Sequence, residues 1–402
     1  MNVNIYIVAT ASIFNLIFPI FGFFVNSLLY LTLSDIGRKF QKVILFNISL
    51  SLSFVGFLYM RLDQSGDVYR YGLSLDYYKE SFNYGRVLPW ESLYEMFYPT
   101  WYALFFVVSK LDLSMQVINA IAGFTIYCAY FKLILKSDEY TLDLSANKFV
   151  FIKCFLLISF VSVFSGYKTL WCFALISIGI IKLESRNRIG WLFFLIGMGL
   201  HPVSWFPISA YLISKWIKFR IVYLYICFLV GLTISQAPFL FDFLLNVPFV
   251  GDKVHTYING DWANYRFQDN GEYIKFYILI VFLVFCFFCI SFKYHQTRKA
   301  AYTFFSSYNN FVFIYLSLAV LFIGFRTVST RLILDGSIFF IPYFIQVLAA
   351  RRIYRKTLIS FFLLLLWLIL FDIRSFNFSN SSFIIGSGFP YNLFSSPFYY
   401  VV

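Results

Sequence analysis

The sequence predicts an all-α fold, a polytopic bundle of helices integral to a membrane. Of its 402 residues, 60% are hydrophobic and only 13% are charged, whereas a soluble domain has about 25% charged residues. Several apolar segments reach the length of about 20 residues that a helix needs to cross a bilayer. The short alternating segments that are typical of a transmembrane β-barrel do not dominate.

Eleven apolar segments are candidate spans. They cover roughly 5–33, 43–60, 114–135, 149–166, 169–183, 190–214, 221–237, 274–292, 310–326, 332–350 and 357–373. No internal repeat, soluble domain or low-complexity linker separates them. We therefore expect one integral membrane domain over residues 1–402, with about 10–12 spans.

Basic clusters in the short loops predict the orientation of these spans. The clusters are Arg38/Lys39/Lys42, Lys182/Arg186/Arg188, Lys215/Lys218/Arg220, Lys293/Arg298/Lys299 and Arg351/Arg352/Arg355/Lys356. Lysine and arginine accumulate in cytoplasmic loops, so the net charge of +13 reflects membrane orientation. No nucleic-acid partner is expected.

All five clusters can face the cytoplasm only if segment 190–214 leaves the membrane on the side where it enters. His201-Pro202 lies near the middle of this segment, and proline breaks a helix because it lacks an amide donor. The sequence therefore predicts a re-entrant hairpin of two short helices, or two steep half-spans, near His201.

With this orientation, residues 61–98 and 238–273 form extracytoplasmic loops, and the apolar stretch 100–111 forms an interfacial or half-inserted helix. The first loop reads RLDQSGDVYRYGLSLDYYKESFNYGRVLPWESLYEMFY and is rich in carboxylates, arginines and tyrosines. Phenol rings stack on sugar faces, and carboxylates accept protons from sugar hydroxyls. This composition indicates a carbohydrate ligand, although a solvated loop explains any single acidic residue equally well.

Two further positions combine an ionisable side chain with an apolar surrounding. Lys168 opens an apolar span in FSGYKTLWCF, and an ionisable group at membrane depth indicates function unless its stem lets the charge reach the interface. His201 lies at the predicted helix break. There it could donate to a phosphate or act as a base near neutral pH, and a hydrogen-bonded core histidine is the alternative.

Arg326 and Arg331, in GFRTVSTRLILDG, flank an extracytoplasmic turn. The planar guanidinium group matches phosphate oxygens, so the pair could hold a diphosphate. Anchoring to lipid headgroups is the alternative, and Asp335 offers Arg331 a structural bridge one turn further on.

No cofactor is expected. The chain has no G-x-x-x-x-G-K-[ST] or G-x-G-x-x-G phosphate loop, which argues against a reaction that uses a nucleotide. It also has no G-x-S-x-G nucleophile motif. The six cysteines lie in apolar segments, so we expect buried thiols rather than a metal site. A magnesium ion held by Asp63 and Asp67 remains open.

The order of these features resembles the Wzy/EpsG-like family of bacterial polysaccharide polymerases. The resemblance rests on Arg61, Gly66-Asp67, Tyr71 and Glu91, then Lys168, then GLHPVSW around His201, and finally Arg331 with FFIPYF. It runs from about residue 60 to 345 through short motifs. Lys168 stands where the family commonly has arginine, and Pro202 replaces the expected small residue after His201.

The resemblance implies a GT-C-like glycosyltransferase of the bacterial inner membrane. It would polymerise oligosaccharide repeat units linked to undecaprenyl diphosphate, for O-antigen, capsule or exopolysaccharide. Asp67 or Glu91 would be the catalytic base. The expected substrate-binding residues are Arg61, Tyr69, Tyr71, Lys168, His201, Arg326 and Arg331. Membrane lipids and a chain-length regulator protein are the other expected partners.

Two other classes of function remain open from the sequence. One is another lipid-linked glycosyltransferase or an O-antigen ligase, which would use similar residues on a different acceptor. The other is a flippase or transporter of a lipid-linked glycan, which would place charges along a path near mid-membrane. The charges here concentrate on one face, which favours an enzyme.

Overall fold

In the computed structural model the chain is largely helical, which confirms the predicted class. The structure describes residues 2–32, 38–61, 67–83, 98–138, 167–235, 303–323, 331–342 and 381–383, with a few single positions between them. Its α-helices are α1 (Asn2–Ile17), α2 (Pro19–Thr32), α3 (Arg38–Leu58), α4 (Asp67–Asn83), α5 (Pro99–Lys110), α6 (Met115–Asp138), α7 (Lys168–Glu184), α8 (Gly190–Leu200), α9 (Trp205–Trp216), α10 (Ile221–Ser235) and α11 (Thr303–Val320).

Shorter elements join these helices. A 3₁₀ turn (Pro202–Ser204) connects α8 to α9, and a π-helical turn (Arg331–Asp335) follows α11. Two three-residue strands, β1 (Tyr59–Arg61) and β2 (Ser381–Phe383), pair antiparallel with Arg61 opposite Ser381. The sequence does not predict this small ladder.

The described helices pack around one large hydrophobic core, and Ile20, Phe54 and Leu58 form a small separate cluster. Helix α3 lies against α2 and α6, α7 lies against α6 and α8, and α11 lies against α9 and α10. Within the described residues, two stretches (Lys39–Leu58 and Met115–Lys136) are long and apolar enough to cross a bilayer. Helix α10 is shorter, and its apolar residues Ile226 and Leu229 are exposed on the surface of the bundle. This exposure is expected for a helix that faces lipid. The total number of spans stays a prediction.

The single span that the sequence predicts over 5–33 is wrong, because the chain turns back at Pro19. The side-chain amide of Asn26 in α2 donates to the carbonyl of Ala11 in α1 at 3.5 Å. In one straight helix these residues would lie about 22 Å apart. A Cβ added at Gly22 would lie 2.6 Å from the Asn15 Cα, so this close approach requires glycine.

Buried asparagines hold the α1–α2 hairpin against α3. Asn47 of α3 donates to Ser12 Oγ at 2.8 Å and to Asn26 Oδ1 at 3.0 Å. Asn15 donates to the Asn47 carbonyl at 3.1 Å, and Ser51 donates to Asn15 Oδ1. Buried polar groups are tolerated when they are hydrogen-bonded, so this network is internally satisfied and fixes how the three helices pack.

The predicted hairpin at His201-Pro202 is confirmed as a turn in the chain. Helix α8 ends at Leu200, and α9 begins at Trp205. The rings of Phe194 and Tyr211, one on each helix, are 5.7 Å apart, whereas 17 residues of straight helix would separate them by about 25 Å. Lys215, in the last turn of α9, forms an ion pair with Glu184 at the end of α7.

Glycines let α7 and α8 approach closely. A Cβ at Gly179 would lie 2.7 Å from the Phe194 ring, and a Cβ at Gly190 would lie 2.5 Å from the Gly179 carbonyl oxygen. Small residues allow such backbone contact between membrane helices. The close packing places the hairpin turn beside the N-terminus of α7, where the candidate site lies.

The predicted loop 61–98 contains a helix, α4, which packs on α5. At its far end, Lys79 donates to Asp112 Oδ1 at 2.8 Å and holds the pKa of Asp112 below its ordinary value. The predicted helix over 100–111 is present as α5. The predicted segments 149–166, 274–292 and 357–373 and the loop 238–273 lie almost entirely outside the described residues.

Candidate functional site

The candidate site lies where the first turns of α4, α5 and α7 meet the break between α8 and α9. Lys168 is the first residue of α7. Its Nζ atom is 3.9 Å from the ring centre of Trp101, 4.2 Å from Tyr71 and 5.3 Å from Tyr98. An ammonium group is attracted to aromatic ring faces at these distances, so rings from two other elements hold Lys168 in place.

The rings around Lys168 belong to a larger aromatic cluster, which consists of Tyr71, Tyr98, Trp101, Tyr167 and Trp171. Tyr71 and Trp101 are 5.0 Å apart between ring centres, and Tyr71 and Tyr167 are 5.9 Å apart. Trp171 lies 6.2 Å from Tyr167 and 6.4 Å from Trp101. These spacings are those of edge-to-face aromatic pairs, so the cluster is a packed wall beside the Lys168 ammonium.

His201 borders the aromatic cluster at the hairpin turn. Its ring centre is 5.7 Å from that of Tyr98, and its Nδ1 atom accepts a hydrogen bond from the Val203 amide at 3.1 Å. Because Nδ1 is the acceptor, the proton of a neutral His201 is on Nε2. The side chain is partly exposed, so Nε2 can donate to a ligand.

Asp67 opens α4 one turn before Tyr71. The positive end of the helix dipole favours a carboxylate in this first turn, and Arg70 forms an ion pair with Asp67. The Asp67 carboxylate lies within electrostatic range of the Tyr167 hydroxyl and of Asp335. Asp67 therefore reaches the same end of the bundle as Lys168.

Arg331 and Asp335 occupy the π-helical turn after α11, and their charges interact as well. Tyr315 of α11 donates to the Leu332 carbonyl at 2.6 Å, which holds the turn against the core. A Cβ at Gly336 would lie 2.4 Å from that hydroxyl, so glycine is required there. The Arg331 and Asp67 charges both lie within electrostatic range of the Asp335 carboxyl group in this turn.

The structure thus brings together five of the residues that the sequence predicts, namely Asp67, Tyr71, Lys168, His201 and Arg331. Tyr69 lies two residues from both Asp67 and Tyr71, so it lies on nearly the opposite side of α4. Arg61 lies in β1, but its side chain is outside the described part. Glu91 and Arg326 also lie outside the described residues.

Sequence analysis missed four members of the aromatic cluster, which are Tyr98, Trp101, Tyr167 and Trp171. The available signal was their spacing at the borders of apolar segments, Tyr98 three residues before Trp101 and Tyr167 four residues before Trp171. Burial raises the pKa of the Tyr167 hydroxyl, and the electrostatic interactions with Tyr71 and Asp67 add to this effect. The hydroxyl therefore stays protonated.

The described residues contain no cluster of three or more His, Cys, Asp or Glu side chains placed to bind a metal ion. Asp63, the second ligand of the magnesium site left open by the sequence, lies outside them. The local chemistry that the structure does describe is cationic, aromatic and acidic. It suits an anionic ligand that also carries a sugar.

The fold and the site define a helical membrane protein with a cationic, aromatic-lined site at one end of its bundle. The chain belongs to the EpsG family, whose family model matches residues 43–393. This membership indicates a polysaccharide polymerase-like role in a membrane and confirms the predicted family. No curated protein and no solved structure matches the chain.

Proposed function

We propose that this protein polymerises oligosaccharide repeat units carried on undecaprenyl diphosphate, at the extracytoplasmic face of the bacterial inner membrane. The observation that carries the proposal is the grouping of Lys168, His201 and Asp67 beside one aromatic cluster. The family match supports a polymerase-like role. O-antigen, capsule and exopolysaccharide are the candidate products.

In the proposed reaction, a sugar hydroxyl of the incoming unit attacks the anomeric carbon of the first sugar of the growing chain. A new glycosidic bond forms, and the bond from that carbon to the diphosphate oxygen breaks. Undecaprenyl diphosphate leaves with the electron pair. Asp67 accepts the proton of the attacking hydroxyl as general base, and Glu91 is the alternative base.

Cationic groups stabilise the leaving diphosphate in this mechanism. Lys168 adds its charge to the positive end of the α7 dipole, and helix N-termini favour anions. His201 donates through Nε2, while Arg331 and Arg326 supply guanidinium groups whose geometry matches phosphate oxygens. Fixed charges aimed at a developing anion are a large source of catalysis, so no cofactor is required.

The basic clusters support an extracytoplasmic position for the site. Helix α7 begins at Lys168 and ends next to Lys182 and Arg186, and its 17 residues span about 25 Å. Helix α9 returns to the Lys182 end, where Lys215 pairs with Glu184. If the basic ends face the cytoplasm, the site faces the opposite side.

Transport of a lipid-linked glycan is the main alternative, because the protein has a second broken hairpin at Pro19. Broken helices line the substrate path of many carriers. However, the described side-chain network there consists of Asn15, Asn26, Asn47 and two serines, which bond to one another and carry no charge. A neutral network offers no charge to an anionic lipid, which favours the enzyme.

The test is the surface-polysaccharide ladder of the host strain after gene deletion and after Asp67→Asn and Arg331→Ala. We expect each to reduce the ladder to lipid core plus one repeat unit, with the variants present in the membrane at normal levels. Asp112→Asn is the matched control, because this exposed carboxylate pairs with Lys79 at the far end of α4. It should keep the full ladder.

Two other outcomes would contradict the proposal. Loss of all repeat units from the surface, with lipid-linked intermediates accumulating, would indicate a flippase or a ligase. An unchanged ladder in the deletion strain would exclude any role in this polymer. A chain-length regulator is the expected protein partner, and co-purification from the membrane would test that contact.

A further inference from the structure

Two buried polar groups in the aromatic cluster have no hydrogen-bond partner among the residues that the structure describes. They are the Tyr167 hydroxyl and the Trp171 Nε1–H group. The Tyr167 side chain is 0% exposed, and that of Trp171 is 5% exposed. Both residues lie in or just before the first turn of α7, on either side of Lys168 in the sequence.

Such unpaired groups are uncommon in protein interiors, where buried polar atoms are almost always hydrogen-bonded. The hydroxyls of Ser109 and Ser204 are other buried groups without a partner among the described residues, but Tyr167 and Trp171 lie together in one aromatic cluster. The buried Tyr315 hydroxyl, by contrast, donates to the Leu332 carbonyl. An indole N–H can only donate, and a protonated tyrosine hydroxyl can donate too. Both groups therefore lack an acceptor, and a ligand oxygen would supply one.

The surroundings of these donors match the chemistry of a sugar. Trp101 lies 6.2 Å from Tyr167 and 6.4 Å from Trp171 between ring centres. A pyranose ring has an apolar face of C–H groups, which packs on aromatic rings, and acceptor oxygens at its rim. The Lys168 ammonium lies over Trp101 and Tyr71, so the anion site and the aromatic wall are adjacent.

We propose that Tyr167 and Trp171 form the subsite for the sugar that is bonded to the diphosphate. The two donors bind one acceptor oxygen of that sugar, either a ring hydroxyl or an acetamido carbonyl, while Trp101 and Tyr71 pack on its apolar face. This inference rests on the proposed function, because a diphosphate at Lys168 places its first sugar here. Lys168 covers the rings until the diphosphate attracts its ammonium group.

The test is Tyr167→Phe in the full-length protein purified in detergent. The probe is the lipid-linked repeat unit extracted from the deletion strain, and its Kd is measured by tryptophan fluorescence. We expect the Tm without probe to stay the same or rise, because an unpaired buried hydroxyl is removed. The probe should bind about tenfold more weakly, the loss expected for one hydrogen bond.

Tyr308→Phe is the matched control. Tyr308 is also fully buried, but it lies in the second turn of α11, next to Ser307, which accepts a hydrogen bond from Lys215. Its variant should bind the probe like the wild type. Trp171→Phe is the second variant and should also weaken binding about tenfold, whatever the effect of its smaller ring on the Tm.

Equal probe affinity in both variants and the wild type would contradict the proposed subsite. A lower Tm of Tyr167→Phe with unchanged affinity would contradict it as well. Either result would leave the proposed function intact if the deletion strain lacks polymer. An unchanged polymer in the deletion strain would instead remove the proposed function itself. Competition by methyl glycosides with and without a 2-acetamido group distinguishes the two acceptor oxygens.

Discussion

At the scale of single residues, Lys168 is a charged side chain that packs against aromatic rings at the first turn of α7. Its ammonium is 3.9 Å from the Trp101 ring centre and 4.2 Å from the Tyr71 ring centre. A desolvated cation–π contact is worth about 2 kcal/mol, which offsets part of the cost of removing the charge from water. The same contacts keep the charge beside the aromatic cluster until a diphosphate attracts it.

We expect Lys168→Met to lower stability by about 1–2 kcal/mol, because the cation–π contacts are lost, and to abolish polymer formation. Lys168→Arg should keep much of the stability and much of the polymer formation, since a guanidinium also stacks on rings and binds phosphate. Thermal unfolding in detergent and the polysaccharide ladder measure the two effects. Lys110→Met, which removes a cation 6.0 Å from Phe106, is the control. A normal ladder in Lys168→Met would contradict the assigned role.

The sequence was sufficient to select Asp67, Lys168 and His201, because charged or ionisable groups stand out against apolar surroundings. It was not sufficient to select Trp101 or Trp171. An aromatic residue in an apolar segment has the same appearance in the sequence whether it faces lipid, core or ligand. Only the packing of α5 on α8 and of α8 on α7 shows that these rings surround Lys168.

At the scale of elements, the described part of the chain contains two helical hairpins, at Pro19 and at His201-Pro202, and the sequence predicts only the second. The turn at His201-Pro202 was predictable because basic clusters at both ends of the segment conflict with a full crossing. The turn at Pro19 lacks such a constraint, since residues 2–33 contain no lysine or arginine. What folds α2 back is the contact of Gly22 with Asn15 and the bond from Asn26 to Ala11.

Glycine contacts at the site position the second hairpin. A Cβ at Gly199 would lie 2.1 Å from Thr100 Oγ1 and 2.9 Å from the Thr100 backbone nitrogen. Gly199→Ala should therefore push α8 away from α5 and lower the stability by about 1–3 kcal/mol. Thermal unfolding measures this change, and a weaker ladder should accompany it because His201 follows in the same turn.

Gly72→Ala is the matched control for this helix contact. Gly72 lies inside α4, and a Cβ there meets no atom within 4 Å. Alanine has the better helix propensity, so this variant should gain about 0.5–1 kcal/mol. Equal stability changes in the two variants would mean that the α5–α8 contact is not tight.

At the scale of the whole molecule, the two hairpins change the predicted crossing pattern. If the α1–α2 hairpin enters and leaves on one side, the N-terminus shares the side of the basic cluster Arg38/Lys39/Lys42. Helix α3 then crosses once, and α4 with Asp67 lies on the opposite side. The number of crossings falls by one, while the predicted side of the site stays the same.

This arrangement predicts the labelling of single cysteines by a membrane-impermeant maleimide in intact cells. The exposed residues Arg188 and Lys218 flank the α8–α9 hairpin, and the exposed Asp76 lies on α4. We expect Asp76→Cys to react from outside, whereas Arg188→Cys and Lys218→Cys should react only after the membrane is permeabilised. The parent protein controls for the native cysteines. Labelling of Arg188→Cys and Lys218→Cys from opposite sides would mean that α8 and α9 together cross the membrane, and the site could then not be assigned to one face by the basic clusters.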